Sequence, residues 1–216
     1  TKAVNALSSY FMVRSFREAE SMTAVFERGV LVSEKREKSD EKNGTYVEYT
    51  ADTDIFKTHK YINEYIDNQM WNYVYLNAGL TINFNGNKYF SKNGLLDLLY
   101  RKTNEEEIKY PIIHLKDGDI EMAITHDNHY GEDYYSFVNG QNTTQGGTHV
   151  AALKEALVRT IRDFYGKNYE PTDIRASLVS AISVRIQEPV FESQTKTKLG
   201  STEIAPGGAS LQTEIN

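Results

Sequence analysis

The sequence predicts an α+β fold, on three observations. A block of short segments rich in β-branched and aromatic residues opens the chain before any long helix. Further on, apolar and polar residues alternate with period two up to Asn-Gly and Asp-Gly turns. Between those segments lie stretches whose apolar residues recur at helical spacing instead. At 216 residues and 39% hydrophobic content, the chain is long enough for one large or two small domains with a packed core.

Residues 1–8 read as a helical turn with no capping residue before it. Segments 10–16, 23–27 and 44–50 are expected as three antiparallel strands; in the last, Tyr46 and Glu48 alternate with Val47 and Tyr49. The mixed-charge run 33–43 ends at Asn43-Gly44, and its charges of both signs cancel. That predicts a solvated hairpin tip, not a binding patch. A boundary follows at 52–58. From 59 to 76, Ile62, Tyr65, Ile66, Tyr73 and Leu76 share a stripe at 3.6 periodicity and Gly79 supplies a stop, so a long amphipathic helix is expected. Leu80, Ile82 and Phe84 alternate up to Asn85-Gly86 before Tyr89 and Phe90 return, which marks a hairpin.

A short helix is expected at 95–102. Strands at 112–115 and 120–126 are joined across Asp117-Gly118, with Ile120, Met122 and Ile124 on one face. A strand at 134–139 leads into the polar loop 140–147, which opens a helix at Thr148. There Val150, Leu153, Leu157, Ile161 and Phe164 fall within an arc of roughly 80° at about 100° per residue, a core stripe. The last strand, 178–186, sets Leu178, Ser180, Ile182, Val184 and Ile186 against Val179, Ala181, Ser183 and Arg185. The tail 201–216 carries Pro206-Gly207-Gly208 and little apolar content before Leu211 and Ile215, so it reads as a linker or the start of a following segment. The expected organisation is a strand remnant over 1–52, an α+β domain over 53–200 and the tail over 201–216.

Composition narrows the function classes. The net charge of −6 argues against a protein that coats nucleic acid with its whole surface, although local basic patches remain open. No apolar run approaches the roughly 20 residues needed to cross a bilayer. The absence of cysteine excludes disulfides and thiolate metal sites and suits a cytoplasmic location. His126 and His129, near Asp127, Glu132 and Asp133, lack a second ligand cluster, so no metal site is expected. Gly146-Gly147-Thr148 lacks the spacing of a phosphate loop and reads as a tight turn with a helix cap; His149 reads as structural. Asp173 and Arg175 read as a surface pair or as ordering the strand entrance, and Trp71 and the tyrosines as core and half-buried positions. Lys154, Arg159 and Arg162 lie off the core stripe of their helix and are candidate DNA contacts.

The loop after the last strand carries the most chemistry. Gln194 and Lys196 lie two residues apart among hydroxyls, and lysine offers phosphate a compact charge where glutamine offers a directional amide. Residues 191–200, centred on Gln194-Thr195-Lys196, resemble the Gln-Thr-Lys loop of the transducer domain in the ATPase (B) subunits of bacterial type IIA DNA topoisomerases, topoisomerase IV and gyrase. Residues 1–8 resemble the helix after the ATP lid of GHKL (Bergerat-type) ATPases. The segments 73–80, 136–139, 146–149 and 173–178 resemble the same family in the same order.

The resemblance implies the C-terminal strands of a GHKL ATPase domain followed by a ribosomal-protein-like transducer. That transducer has a left-handed βαβ crossover, against the ordinary right-handed rule. It implies that Gln194 and Lys196 contact the γ-phosphate of ATP, with Lys196 catalytic, and that Thr1 borders the ATP lid. ATP and Mg2+ are implied for the full-length subunit. None is expected bound to this stretch alone, which is expected to be inactive because the family's base, magnesium-binding and adenine-reading residues fall upstream of Thr1. The implied partners are the topoisomerase A subunit, duplex DNA and a second copy of the ATPase subunit that joins on ATP binding. A topoisomerase IV origin is favoured over a gyrase one. The rival reading is a non-catalytic nucleic-acid-binding module on the same fold.

Overall fold

The computed structural model describes residues 1–216, which form two compact units, Thr1–Ile62 and Asn63–Asn216. In the first unit, α1 (Lys2–Ala6) precedes β1 (Ser8–Arg17), β2 (Glu20–Glu27), β3 (Val30–Lys38), β4 (Gly44–Ala51) and the single turn α2 (Thr53–Phe56). The strands form an antiparallel sheet in the order β3-β2-β1-β4.

One more strand is present here than expected, because most of the mixed-charge run is in β3. Every residue of β3 is exposed. Backbone pairing to β2 forms it, helped by cross-strand charges such as Arg36 on Glu20 at 2.5 Å. An apolar-polar pattern could not announce such a strand. The unit also runs past Asp52 to Ile62. Asp52 is buried, accepts from the Asp54 amide at 2.9 Å to cap α2, and binds Arg28 at 2.6 Å.

The second unit contains α3 (Asn63–Leu76), β5 (Thr81–Phe84), β6 (Asn87–Phe90), α4 (Leu95–Lys102), β7 (Ile113–Asp117), β8 (Ile120–His126), β9 (Glu132–Val138), β10 (Gln141–Asn142), α5 (Thr148–Tyr165), α6 (Pro171–Arg175), β11 (Leu178–Val184) and α7 (Leu211–Ile215). Its main sheet runs β10-β9-β11-β8-β7, and β9 and β11 are parallel neighbours joined through α5. Strand β11 is central and buried on both faces. Leu178, Ile182 and Val184 enter one apolar cluster with Val150 and Leu153 of α5, while Val179 and Ala181 enter another with Tyr75, Leu95, Leu98 and Leu99 of α3 and α4. Ile120 and Ile124, with Met122 packed against them, line the α5 side as the alternation predicts.

Three packing expectations change. In α3 the buried residues are Val74 and Tyr75, whereas Tyr65 and Tyr73 are exposed. Aromatic contacts decide the face: Trp71 stacks on Tyr75 at 5.5 Å, meets Tyr89 at 5.2 Å and carries Arg101 over its ring at 4.1 Å. In α5, Phe164 is 80% exposed although it belongs to the predicted stripe. The 18-residue helix is ~27 Å long and outruns the ~23 Å of the seven-residue strand beneath it.

The tail, read as a linker or the start of a following segment, folds back onto the second unit. Ser210 caps α7, accepting from the Thr213 amide, and Leu211 and Ile215 are buried in the α5-side core. Two apolar residues four apart on one helical face suffice for this docking once α5 offers a surface. Replacing Leu211 with Ala should therefore cost about 2–5 kcal/mol of unfolding free energy in a denaturant titration. A change below about 0.5 kcal/mol would show the tail to be unanchored.

Candidate functional site: the Gln-Thr-Lys loop and its cleft

Beyond β11 the chain is held at successive points before it reaches the loop. The Arg185 amide donates to Asp119 O at 2.8 Å, and the Asn139 side chain both donates to Ile186 O and accepts from the Ile186 amide, each at 2.8 Å. Phe191 then bridges Leu199 antiparallel, the Glu192 amide donates to Lys198 O at 3.0 Å, and Lys198 pairs with Glu192 at 2.9 Å. These contacts close the base of a turn with Gln194 and Thr195 at its tip. The Lys196 amide donates to Ser193 O at 3.0 Å, and Lys196 adopts φ +57°, an unusual conformation for a residue with a Cβ. Ser193 and Thr195 hydroxyls meet at 2.7 Å.

The two residues read from the sequence as phosphate contacts are thus on one exposed turn. The Lys196 ammonium lies 5.9 Å from the Phe191 ring centroid and has no carboxylate partner, in contrast to its neighbour Lys198. It lines a cleft of about 650 Å³ bounded by the end of α3, the β9–β10 turn and the strand exit at Arg185.

The loop returns to the body at the start of α5. Leu199 is buried and forms a parallel bridge with Gly147; its amide donates to Gly146 O at 3.1 Å and its carbonyl accepts from the Thr148 amide at 3.2 Å. The Gln145 amide donates to Thr197 O at 2.9 Å, and the Thr148 hydroxyl donates to Ser201 O. The Thr148 amide at this helix start binds the loop strand, and Gly147 at the N-cap supplies no side-chain cap. Gly147 is at φ +135°, and a Cβ there would lie 2.5 Å from the Leu199 nitrogen and 2.8 Å from its Cα. Sequence reasoning missed this close approach; the only signal was the glycine pair itself.

Beneath the clamp, His149 is fully buried. Its Nε2 meets the Thr143 hydroxyl at 3.2 Å, which meets the Ser136 hydroxyl at 2.7 Å, and its Nδ1 has no hydrogen-bond partner. Burial lowers its pKa from 6.5 to about 4, so the ring is neutral at pH 7.

The DNA gyrase B family model matches residues 45–211. The chain belongs to that family. Among curated relatives, it is 48% identical over 203 residues to the DNA topoisomerase 4 B subunit of Borreliella burgdorferi, covering 94% of this chain and 34% of that protein. It is 32% identical over 222 residues to the DNA gyrase B subunit of Helicobacter pylori, covering 92% of this chain and 29% of that one. It therefore spans about a third of these relatives. The fold is similar to the 43K ATPase domain of Thermus thermophilus gyrase B in complex with an aminocoumarin, with a TM-score of 0.78 at 24% identity, covering 98% of this chain and 62% of that structure.

Other sequence-predicted residues of this gyrase B family chain belong to other segments than the loop. Thr1 is in the first unit, where its carbonyl accepts from the Asn5 amide at 3.0 Å. The three α5 cations do not form a free patch. Lys154 lies 3.3 Å from Glu132 and over the Tyr134 ring, Arg159 is 3.6 Å from Asp163, and Arg162 donates twice to Tyr169 O at 2.8 and 2.6 Å. Arg175 pairs with Glu132 at 3.2 Å, not with Asp173. His126 is bonded on both ring nitrogens, to the Tyr110 hydroxyl at 2.5 Å and Ile174 O at 2.7 Å, while His129 meets Asp127.

Two outcomes follow from the clamp. Gly147→Ala should lower the melting temperature and raise amide exchange across residues 191–200, since backbone atoms must separate to admit the methyl group; unchanged exchange there would show that the bridge does not hold the loop. Protonation of His149 is harder in the folded chain than in the unfolded one. Stability should be full above about pH 6.5 and fall toward pH 4, by up to roughly 3 kcal/mol. His149→Gln should flatten that window; an equal slope in the variant would place the titrating group elsewhere.

Proposed function

We infer that this chain is part of the ATPase subunit of a bacterial type IIA DNA topoisomerase, of the topoisomerase IV kind, and that its loop reads the terminal phosphate of ATP. The observation that carries this reading is Lys196: an ammonium with no acid partner, two residues after Gln194 on an exposed turn whose base is fixed at Leu199. Such a pair fits a phosphate. The identity of 48% to a topoisomerase 4 relative, against 32% to a gyrase relative, supports the choice between the two.

In this reading residues 1–52 end the nucleotide-binding domain, with Thr1 at the ATP lid. Residues 53–200 are the transducer body with its left-handed crossover, and the tail through Asn216 adds a docked helix. ATP with Mg2+, held by the complete subunit, supplies the phosphoryl group. Lys196 holds its charge and Gln194 donates to it, and release of that hold after hydrolysis frees the loop and alters the preferred domain angle. The coupled work is closure of two ATPase subunits around duplex DNA, with the A subunit as cleavage partner, in the cytoplasm. By itself the present stretch is inactive. Because the α5 cations are already engaged, any duplex binding through Lys154, Arg159 and Arg162 is weak and salt-sensitive. That also weighs against the nucleic-acid-module reading.

In the complete ATPase subunit assembled with its A subunit, Lys196→Ala should lower ATP turnover about 10²- to 10³-fold, with DNA relaxation or decatenation falling in parallel and melting temperature unchanged. Gln194→Ala should lose less, because a neutral amide contact is weaker than a charged one. Wild-type turnover in Lys196→Ala at wild-type stability would remove this reading.

A further inference from the structure

None of the residues lining the cleft beside the loop is Asp or Glu, although the chain has 30 acidic residues against 24 basic ones. Two cations line it, Arg185 and Lys196. Several other cations of the same unit are matched to acids: Lys116 to Glu121, Lys154 and Arg175 to Glu132, and Lys198 to Glu192. Neither cleft cation has such a partner. Arg185 also lines a smaller adjoining pocket with Asp119 and Glu121, of which Glu121 is engaged by His114 and Lys116, whereas the cleft itself holds two cations and no acid and so favours an anion.

Arg185 is held by its backbone and free at its head. Its amide is tied to Asp119 O, and the next residue is gripped from both sides by the Asn139 amide. A guanidinium on a fixed stem, with no ion-pair partner, offers a planar fork of donors that suits two oxygens of a tetrahedral oxyanion. Lys196 adds a second charge from the turn, Gln141 lines the cleft with a neutral amide, and Val138 and Phe191 supply apolar wall. Apolar walls strengthen charge interactions by excluding water.

We propose that this cleft is a phosphate-binding site in which Arg185 takes the oxyanion through its guanidinium fork and Lys196 supplies the second charge. The site lies wholly within the Asn63–Asn216 unit and needs no nucleotide, so it goes beyond the ATP-reading role of Lys196 and does not depend on it. A phosphate reaches such a cleft either as free orthophosphate or as part of a duplex DNA backbone.

The test is calorimetric and ³¹P titration of the 216-residue chain with inorganic phosphate at constant ionic strength, balanced with chloride. Saturable binding is expected, weakened about tenfold in Arg185→Gln and in Lys196→Gln, partly restored in Arg185→Lys, and unchanged in Lys167→Gln, an exposed cation outside the cleft. Melting temperatures check that each variant is folded. A short duplex that displaces phosphate competitively identifies the DNA backbone as the source; phosphate binding that duplex leaves untouched identifies orthophosphate. Absence of saturable binding, or an equal loss in Lys167→Gln, overturns the site while leaving the ATP reading intact. Normal ATP turnover in Lys196→Ala would do the reverse.

Discussion

The close approach of Gly147 to Leu199 is the constraint on which the site depends. A polar turn of ten residues has no core of its own, so its geometry must be imposed at its ends. One end follows the central strand out of the sheet through Arg185 and Ile186. The other returns at Leu199, whose side chain enters the core while its backbone forms a bridge with the start of α5. Two backbones meet there at a distance that leaves no room for a Cβ, and the left-handed φ of Gly147 turns the chain into the helix at the same point. The helix start that could have cradled an anion is occupied by the returning strand. Any anion-handling chemistry is therefore left to side chains farther out, at the tip and in the cleft.

The same region carries a polar network inside an apolar cluster. His149, Thr143 and Ser136 link the helix start, the loop before it and strand β9 through hydroxyls and one neutral imidazole. Such a chain restricts the loop to one arrangement, since each buried group that lost its partner would be left desolvated. The histidine accepts a large fall in pKa because charging it there would place an ion in a fully buried position. The fixed base of the loop and its exposed tip are thus built from different residues.

Electrostatics divides the surface in a similar way. Along α5, positive charges are offset by Glu132, Asp163 and the carbonyl of Tyr169, so the helix presents little net field. Around the loop, Arg185 and Lys196 have no ion-pair partner. In a gyrase B family chain with more acids than bases, this contrast supports the proposal that the cleft receives a negatively charged group.

The sequence by itself determined the period-two strands, the two hairpin turns, the short helix at 95–102, the start of α5 and the position of Gln194 and Lys196, because each is written in neighbouring residues. Strand β3 was hidden because backbone pairing needs no apolar pattern when both faces are wet. The docked tail, the buried face of α3 and the exposure of Phe164 were decided by the surfaces that other elements presented, such as the ring of Trp71 and the limited length of β11. The Gly147 clamp, the engagement of the α5 cations and the acid-free cleft are likewise tertiary. Apart from Arg159 with Asp163 and Arg162 with Tyr169, four and seven positions apart, each joins residues tens of positions apart, and only distance in the folded chain tells a paired charge from a free one.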